Sequence, residues 1–166
     1  SQTRDRIGFG AQFDPKTRSG GNALTFFADL EIWTSSKGML TRMVRGKPRQ
    51  IGIVCEAKIR KNRVNGRRRV VRFPIYWSYG IDNTGSLIDY LIEEGHWTTK
   101  GAESKSPAAI ENKTINATEF GVVLKRDKLV QFIEENDKEQ ELCSIVKKVW
   151  NEIEDACIVR RKRRYA

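Results

Sequence analysis

Apolar and polar residues alternate most regularly over 51–60. Ile51, Ile53, Cys55, Ala57 and Ile59 fall on one side and Val54, Glu56, Lys58 and Arg60 on the other, the period of a half-buried strand. A shorter alternation from Ala28 to Thr34 follows a predicted short helix over 23–27, which Asn22 is placed to cap. Asn65-Gly66 is a hairpin turn signal and Val70 to Trp77 the returning strand. Pro74 cannot donate to a ladder, which assigns that strand to an edge or a bulge. Beyond Gly80 the period becomes helical. Ser86 is placed to cap Leu87 to Glu94 with Gly95 as the stop, and Asp127 to cap Lys128 to Asn136. A last amphipathic helix sets Leu142, Val146, Val149, Ile153 and Ala156 on one stripe. Gly8 to Gly21, with four glycines and a proline, reads as an exposed loop, and 100–121 as a poorly defined connector. No repeat is present. The expected domains are 1–81, a β-meander with a short helix, and 82–166, with the boundary near 81–85.

At 166 residues, 39% hydrophobic and 31% charged, the chain suits one domain or a small domain with an appendage. It contains no apolar run of membrane-spanning length and no signal segment, so no membrane partner is expected. Three cysteines without metal spacing exclude a disulfide scaffold or zinc finger. They read as small buried hydrophobes in a reducing, cytoplasmic compartment, where the two Asn-x-Thr sequons carry no weight.

Charge changes the picture more. The net charge is +10, and its distribution is uneven: 17 basic against 5 acidic residues over 1–80, then 9 against 16 over 81–159, then a basic run from Arg160 to Arg164. A basic half joined to an acidic half implies a face that meets a polyanion. Twelve basic residues between Arg42 and Arg72 stand against Glu56 alone. The plainer alternative, an edge strand using charge to block aggregation, needs only one or two lysines. Gly20-Gly21-Asn22 offers unhindered N–H groups to a phosphate, although glycine pairs before helices are common. Trp77 and Tyr79 could stack on a base or simply pack. His96, the only histidine, is read as structural, since no partner is evident to make it a base or ligand. No G-x-x-x-x-G-K-[ST] motif, metal set or nucleophile elbow is present, so the chain holds no complete active site.

Gln2-Thr3-Arg4-Asp5-Arg6-Ile7-Gly8, Asp14-Pro15-Lys16-Thr17 and Gly20-Gly21-Asn22-Ala23-Leu24-Thr25-Phe26-Phe27-Ala28 together resemble the second DNA-binding loop of RecA-type recombinases. Lys58-Ile59-Arg60-Lys61-Asn62-Arg63 resembles the basic segment that reaches ATP across that family's subunit interface. Phe73 to Ile81 resembles the strand that follows it, and Leu87 to Gly95, Trp97 and Lys100-Gly101 resemble the start of the small C-terminal domain.

The resemblance implies an α/β fold: the C-terminal part of a RecA-like ATPase core, followed by a small α+β domain with a basic tail. It implies a chain cut within that core, with the phosphate-binding loop, catalytic glutamate and Mg²⁺ ligand before Ser1, and therefore no ATP hydrolysis by this chain alone. Gln2 is the implied γ-phosphate sensor. Lys61 and Arg63 are the implied cations acting in trans on a neighbour's ATP. Trp77 is implied against adenine and Phe26 at a subunit contact. Arg4, Ile7, Arg18, Gly20, Gly21 and Asn22 are implied at DNA. The implied cofactors are ATP and Mg²⁺, and the implied partners are single- and double-stranded DNA and further copies of the chain in a helical filament. The basic tail departs from the acidic tail of many relatives. The competing reading is a stand-alone basic nucleic-acid-binding module without nucleotide dependence.

Overall fold

The computed structural model describes residues 3–5, 12, 16–18, 23–100 and 114–161. The chain divides into two compact units, one of Ser1–Met39 with Ile53–Arg72, the other of Leu40–Gly52 with Phe73–Ala166.

In the first unit, β1 (Thr3–Asp5) pairs antiparallel with β2 (Lys16–Arg18), Arg4 opposite Thr17. The expected loop from Gly8 to Gly21 therefore contains a strand. Helix α1 (Ala23–Phe27) forms where it was predicted, but its expected cap, Asn22, lies outside the described residues. Strand β3 (Leu30–Val44) is far longer than the alternation over 28–34 suggests, and β4 (Lys47–Asn62) longer than 51–60. Residues 41–50 are exposed throughout, so no one-sided burial writes a period-two pattern into them. Arg45 (φ 51°) and Gly46 (φ 72°) form the tight turn between these strands, both in the left-handed region that a two-residue hairpin turn requires. Glu56, on the supposed polar side of β4, is buried. Lys37 Nζ lies 3.0 Å from one of its oxygens, and Arg72 Nε donates to the other at 2.8 Å. These hydrogen bonds, Lys37's first, hold the Glu56 carboxyl below its ordinary pKa.

Strands β5 (Val70–Tyr76) and β6 (Gly80–Ile81) complete a sheet of order β3-β4-β5-β6, so β5 is not an edge strand. Pro74 is tolerated there for a local reason. It stands opposite Asp82, one step beyond the Ile75–Ile81 pair, and its carbonyl accepts the Asp82 N–H at 3.2 Å. The Asp82 carbonyl, which an N–H at position 74 would otherwise claim, instead accepts the Ser86 N–H (3.2 Å) and begins a helix.

That helix, α2 (Asn83–Glu93), is capped by Asp82, whose side chain accepts the Gly85 N–H at 2.7 Å. Ser86, the expected cap, sits inside the first turn and donates its hydroxyl to the Asp82 carbonyl at 2.6 Å. Gly95 (φ 73°) ends the helix as expected, with the His96 N–H returning to the Leu91 carbonyl. Part of the supposed connector is a strand: β8 (Thr114–Ala117) lies between β7 (Thr98–Lys100) and β9 (Val122–Lys125). Residues 101–113 lie outside the described residues. Helix α3 (Arg126–Glu135) starts after Lys125 without a side-chain cap, and Asp127 falls in its first turn. Helix α4 (Glu139–Ala156) buries Leu142 and Val149, with Val146 and Ile153 packed beside them, while Ala156 is exposed.

The core of this unit joins Ile88 and Leu91 of α2, Leu129 and Ile133 of α3 and Leu142 of α4 to Ile115 of β8 and to Trp97. Each such aliphatic side chain contributes about 1.5–3 kcal/mol by leaving water. Of the cysteines only Cys55 is buried; Cys143 is half-buried and Cys157 exposed. Among the described residues no helix is long and apolar enough to cross a membrane.

Candidate functional site

The end of β4 carries the two cations singled out in the sequence. Lys61 is half-buried. Its ammonium donates to the carbonyls of Thr25 and, at 3.2 Å, of Phe26, the unsatisfied acceptors at the end of α1. Lys61 thus clasps a five-residue helix too short to persist alone. Arg63 is exposed; its guanidinium carbon lies 5.7 Å from the centre of the Phe26 ring, and its backbone N–H donates to the Asp29 carbonyl at 2.8 Å. Phe26, the expected subunit-contact residue, is 67% exposed and packs edge-on to Phe27.

Between these residues and β5 the backbone is fixed by Asn62. Its side-chain oxygen accepts the N–H groups of Val64 (3.0 Å) and Asn65 (3.2 Å), and its amide nitrogen donates to Asn65 Oδ1 (2.6 Å) and the Arg67 carbonyl (2.9 Å). Asn65 accepts the Arg67 N–H at 3.1 Å, and Gly66 turns the chain at φ 72°. These bonds set Arg63, Arg67, Arg68 and Arg69 on an organised turn. Arg60 lies with its guanidinium carbon 4.2 Å above the Trp33 ring, and the Trp33 indole N–H donates to Glu31. Asn62 and Trp33 were not singled out from the sequence. An Asn three residues before Asn-Gly is the signal that could have found the first.

Arg4 and Arg18 lie on the paired strands β1 and β2. Gln2, Ile7, Gly20, Gly21 and Asn22 lie outside the described residues. In the second unit, Trp77 follows β5 and is 61% exposed, and the Tyr79 hydroxyl donates to Glu134 at 3.2 Å. The Glu134 charge raises the Tyr79 pKa.

His96 does have a partner, contrary to expectation. Its Nε2 is hydrogen-bonded to Glu119, which also accepts from the Trp97 indole (2.6 Å) and the Thr118 hydroxyl (2.9 Å). Burial opposes the Glu119 charge, but these hydrogen bonds, Trp97's first, outweigh it and hold the pKa down to about 2. Among the described residues no group of three or more His, Cys, Asp or Glu is arranged to hold a metal ion.

No protein-family model matches the chain. The chain is similar to bacterial proteins named "Protein RecA". It is 29% identical to that of Wolinella succinogenes over 159 residues, covering 86% of this chain and 44% of the relative. With the Sulfurimonas denitrificans protein it shares 33% identity over 118 residues, 68% of this chain and 33% of the relative. With that of a Sulfurovum species the identity is 35% over 109 residues, 62% and 30%. The α/β architecture, with antiparallel sheets and a helical second unit, is compatible with the C-terminal region of such proteins. The chain belongs to the RecA family of recombinases. It spans between 25% and 44% of the length of the relatives it matches.

Proposed function

We propose that this chain is part of an ATP-dependent, filament-forming recombinase that binds single-stranded DNA and promotes homologous pairing and strand exchange. The observation that carries the reading is the exposed guanidinium of Arg63 on an organised basic turn, in a chain related to RecA. An exposed, always-charged, planar donor set suits a phosphate supplied by a neighbouring subunit. Lys61 has the right charge, but its ammonium is held by the carbonyls of α1, so it would exchange those partners to meet a phosphate. ATP with Mg²⁺ would supply the transferable phosphoryl group, and its Mg²⁺ ligands are expected outside this chain. Arg63, with Lys61, would stabilise charge developing on that group. The exposed Trp77 ring offers a face for adenine and Phe26 an apolar subunit contact. Gln2 would sense the γ-phosphate and relay it to Arg4, Ile7, Arg18, Gly20, Gly21 and Asn22 on DNA.

Binding of the purified chain to a fluorescent single-stranded oligonucleotide across a salt series tests the DNA part. About six phosphate contacts give a slope near −4 in log K against log salt. Absence of binding even at low salt overturns the reading. Joining the chain behind the N-terminal part of a RecA relative tests the nucleotide part: DNA-stimulated ATP hydrolysis is expected from the joined protein and none from the chain alone. Hydrolysis by the chain alone overturns the assignment. DNA binding unaffected by ATP in the joined protein favours the stand-alone module.

A further inference from the structure

Asn65-Gly66, the turn signal between β4 and β5, is the one Asn-Gly pair in the chain. The same dipeptide is a chemical weak point. A glycine after asparagine leaves its backbone nitrogen unshielded, so that nitrogen can attack the asparagine side-chain carbonyl and close a five-membered imide. Asn65 and Gly66 are both exposed, and a Cβ at Gly66 would meet nothing within 4 Å, so water and backbone movement have access.

The turn does more than leave the pair accessible. Asn65 Oδ1 accepts two hydrogen bonds, from Asn62 Nδ2 at 2.6 Å and from the Arg67 N–H at 3.1 Å. Both donors are aimed at the atom on which negative charge develops when the side-chain carbonyl is attacked, the arrangement of an oxyanion hole. The two nitrogens that must change have no hydrogen-bond partner among the described residues. These are the Gly66 N–H, which has to lose its proton, and Asn65 Nδ2, which has to leave. Charge acts in the same direction. Arg63, Arg67, Arg68 and Arg69 stand within four residues of Asn65, and no Asp or Glu occurs between Glu56 and Asp82. Nearby cations favour both a deprotonated nitrogen and an anionic product. A turn held only for its shape would need the Asn62 oxygen, which accepts the Val64 and Asn65 N–H groups. The bond from Asn62 Nδ2 to Asn65 Oδ1 adds polarisation of the reacting carbonyl.

We propose that Asn65 is a site of intramolecular deamidation promoted by the folded turn, with water as the only co-reactant. The Gly66 nitrogen gives its proton to water or hydroxide, and its lone pair forms a bond to Asn65 Cγ while charge passes to Oδ1. The carbonyl re-forms as the Cγ–Nδ2 bond breaks, and Nδ2 takes a proton from water and leaves as ammonia. Water then adds to one of the two imide carbonyls and opens the ring. Release of the nitrogen from Cγ gives aspartate, and release from the backbone carbonyl carbon of residue 65 gives isoaspartate. Nothing is oxidised or reduced. Either product sets a carboxylate among the four arginines and lowers the charge of the turn by one. Isoaspartate also lengthens the backbone inside the turn by one carbon. The inference stands independently of the recombinase reading.

The test incubates the whole chain at neutral and mildly alkaline pH, folded and in urea, and follows every asparagine by peptide mapping and mass spectrometry. Cation-exchange chromatography resolves the product by its lost charge. Asn65 is expected to convert first, into both aspartate and isoaspartate, faster at alkaline pH, and no more slowly in the folded chain than in urea. Asn62→Asp keeps an oxygen for the Val64 and Asn65 N–H groups but removes the donor to Asn65. It should slow conversion in the folded chain about fivefold or more, the worth of one neutral hydrogen bond, and change the rate in urea by less than about twofold. Gly66→Asn, a residue that tolerates the left-handed backbone, should slow conversion in both states. Circular dichroism and urea midpoints establish that each variant folds. Slower conversion in the folded parent than in urea overturns the proposal, because the turn would then protect Asn65. An unchanged or faster rate in folded Asn62→Asp overturns it too. If Asn62→Asp does not fold, the comparison of folded and unfolded parent decides alone.

Discussion

Arg126 holds Asp89 in a two-pronged grip, with Nε and Nη2 each 2.8 Å from a different carboxylate oxygen. Asp82, which caps α2, lies 3.4 Å from the same Nη2. One cation therefore ties the first turn of α3 to both the cap and the second turn of α2. Gly85 is the residue that leaves room, since a Cβ there would collide with the Asp82 carboxylate and the Arg126 guanidinium. Arg126 and Asp82 are each only 8% exposed at the side chain. Burial disfavours the Arg126 charge, but Asp89 and Asp82 outweigh it and raise its pKa. Breaking a buried pair leaves an uncompensated charge, so Arg126→Met is expected to destabilise the second unit by about 3–5 kcal/mol. Urea denaturation of the variant should show a lower midpoint with an unchanged slope. Adding Asp89→Asn should recover part of the loss, because it removes one of the stranded carboxylates. A midpoint within error of the parent's would refute the assignment.

Glu119 predicts a pH dependence. Its folded pKa of about 2 lies below the ordinary value of 4.5, so its contribution is fully present above pH ~5 and fades as pH falls through 4.5 toward 2. Allowing for solvent screening, the ionised form is worth about 1–2 kcal/mol at neutral pH. Glu119→Gln keeps the shape but loses the charge. Urea midpoints of parent and variant should differ most above pH 5 and converge toward pH 3. A constant gap across that range would mean that the carboxylate charge is not what Trp97, His96 and Thr118 hold.

What the sequence made legible follows from burial. The stripe of α4 and the Gly95 stop were readable because a core or a left-handed residue leaves a local mark. The long hairpin was not readable, since 41–50 is exposed on both faces and its turn is Arg-Gly rather than Asn-Gly. The α2 cap was misassigned because Asp82 and Ser86 are both good cap residues, and only the pairing of β5 with β6 decides between them. Strand β8 was hidden among polar residues, with Ile115 and Ala117 its only buried positions. The candidate site was legible as charge but not as geometry: nothing in Lys61-Asn62-Arg63 tells which cation turns inward to α1 and which stays in water.

That division between the two cations is itself testable. Lys61 satisfies carbonyls at the end of α1, so Lys61→Ala should loosen the helix. A hydrogen bond from a charged donor is worth about 1.5–3 kcal/mol, which corresponds to amide exchange over 23–29 faster by tenfold or more. The Arg63 side chain lies against the Phe26 ring, and its backbone N–H bond to the Asp29 carbonyl survives conversion to Ala, so that exchange should stay nearly unchanged. The functional effects should reverse in rank. In the chain joined behind the N-terminal part of a RecA relative, Arg63→Ala should lower ATP turnover by about 10³ or more, the effect of removing an arginine that stabilises charge on the transferring phosphoryl group. Its single-strand binding should keep its strength within a few-fold, with the salt slope shallower by about 0.7. Full ATP turnover in Arg63→Ala, with the shallower slope alone, would leave Arg63 as a DNA contact and the nucleotide reading without support. Unchanged exchange in Lys61→Ala would mean that its ammonium is not committed to α1 and stands ready for the phosphate instead.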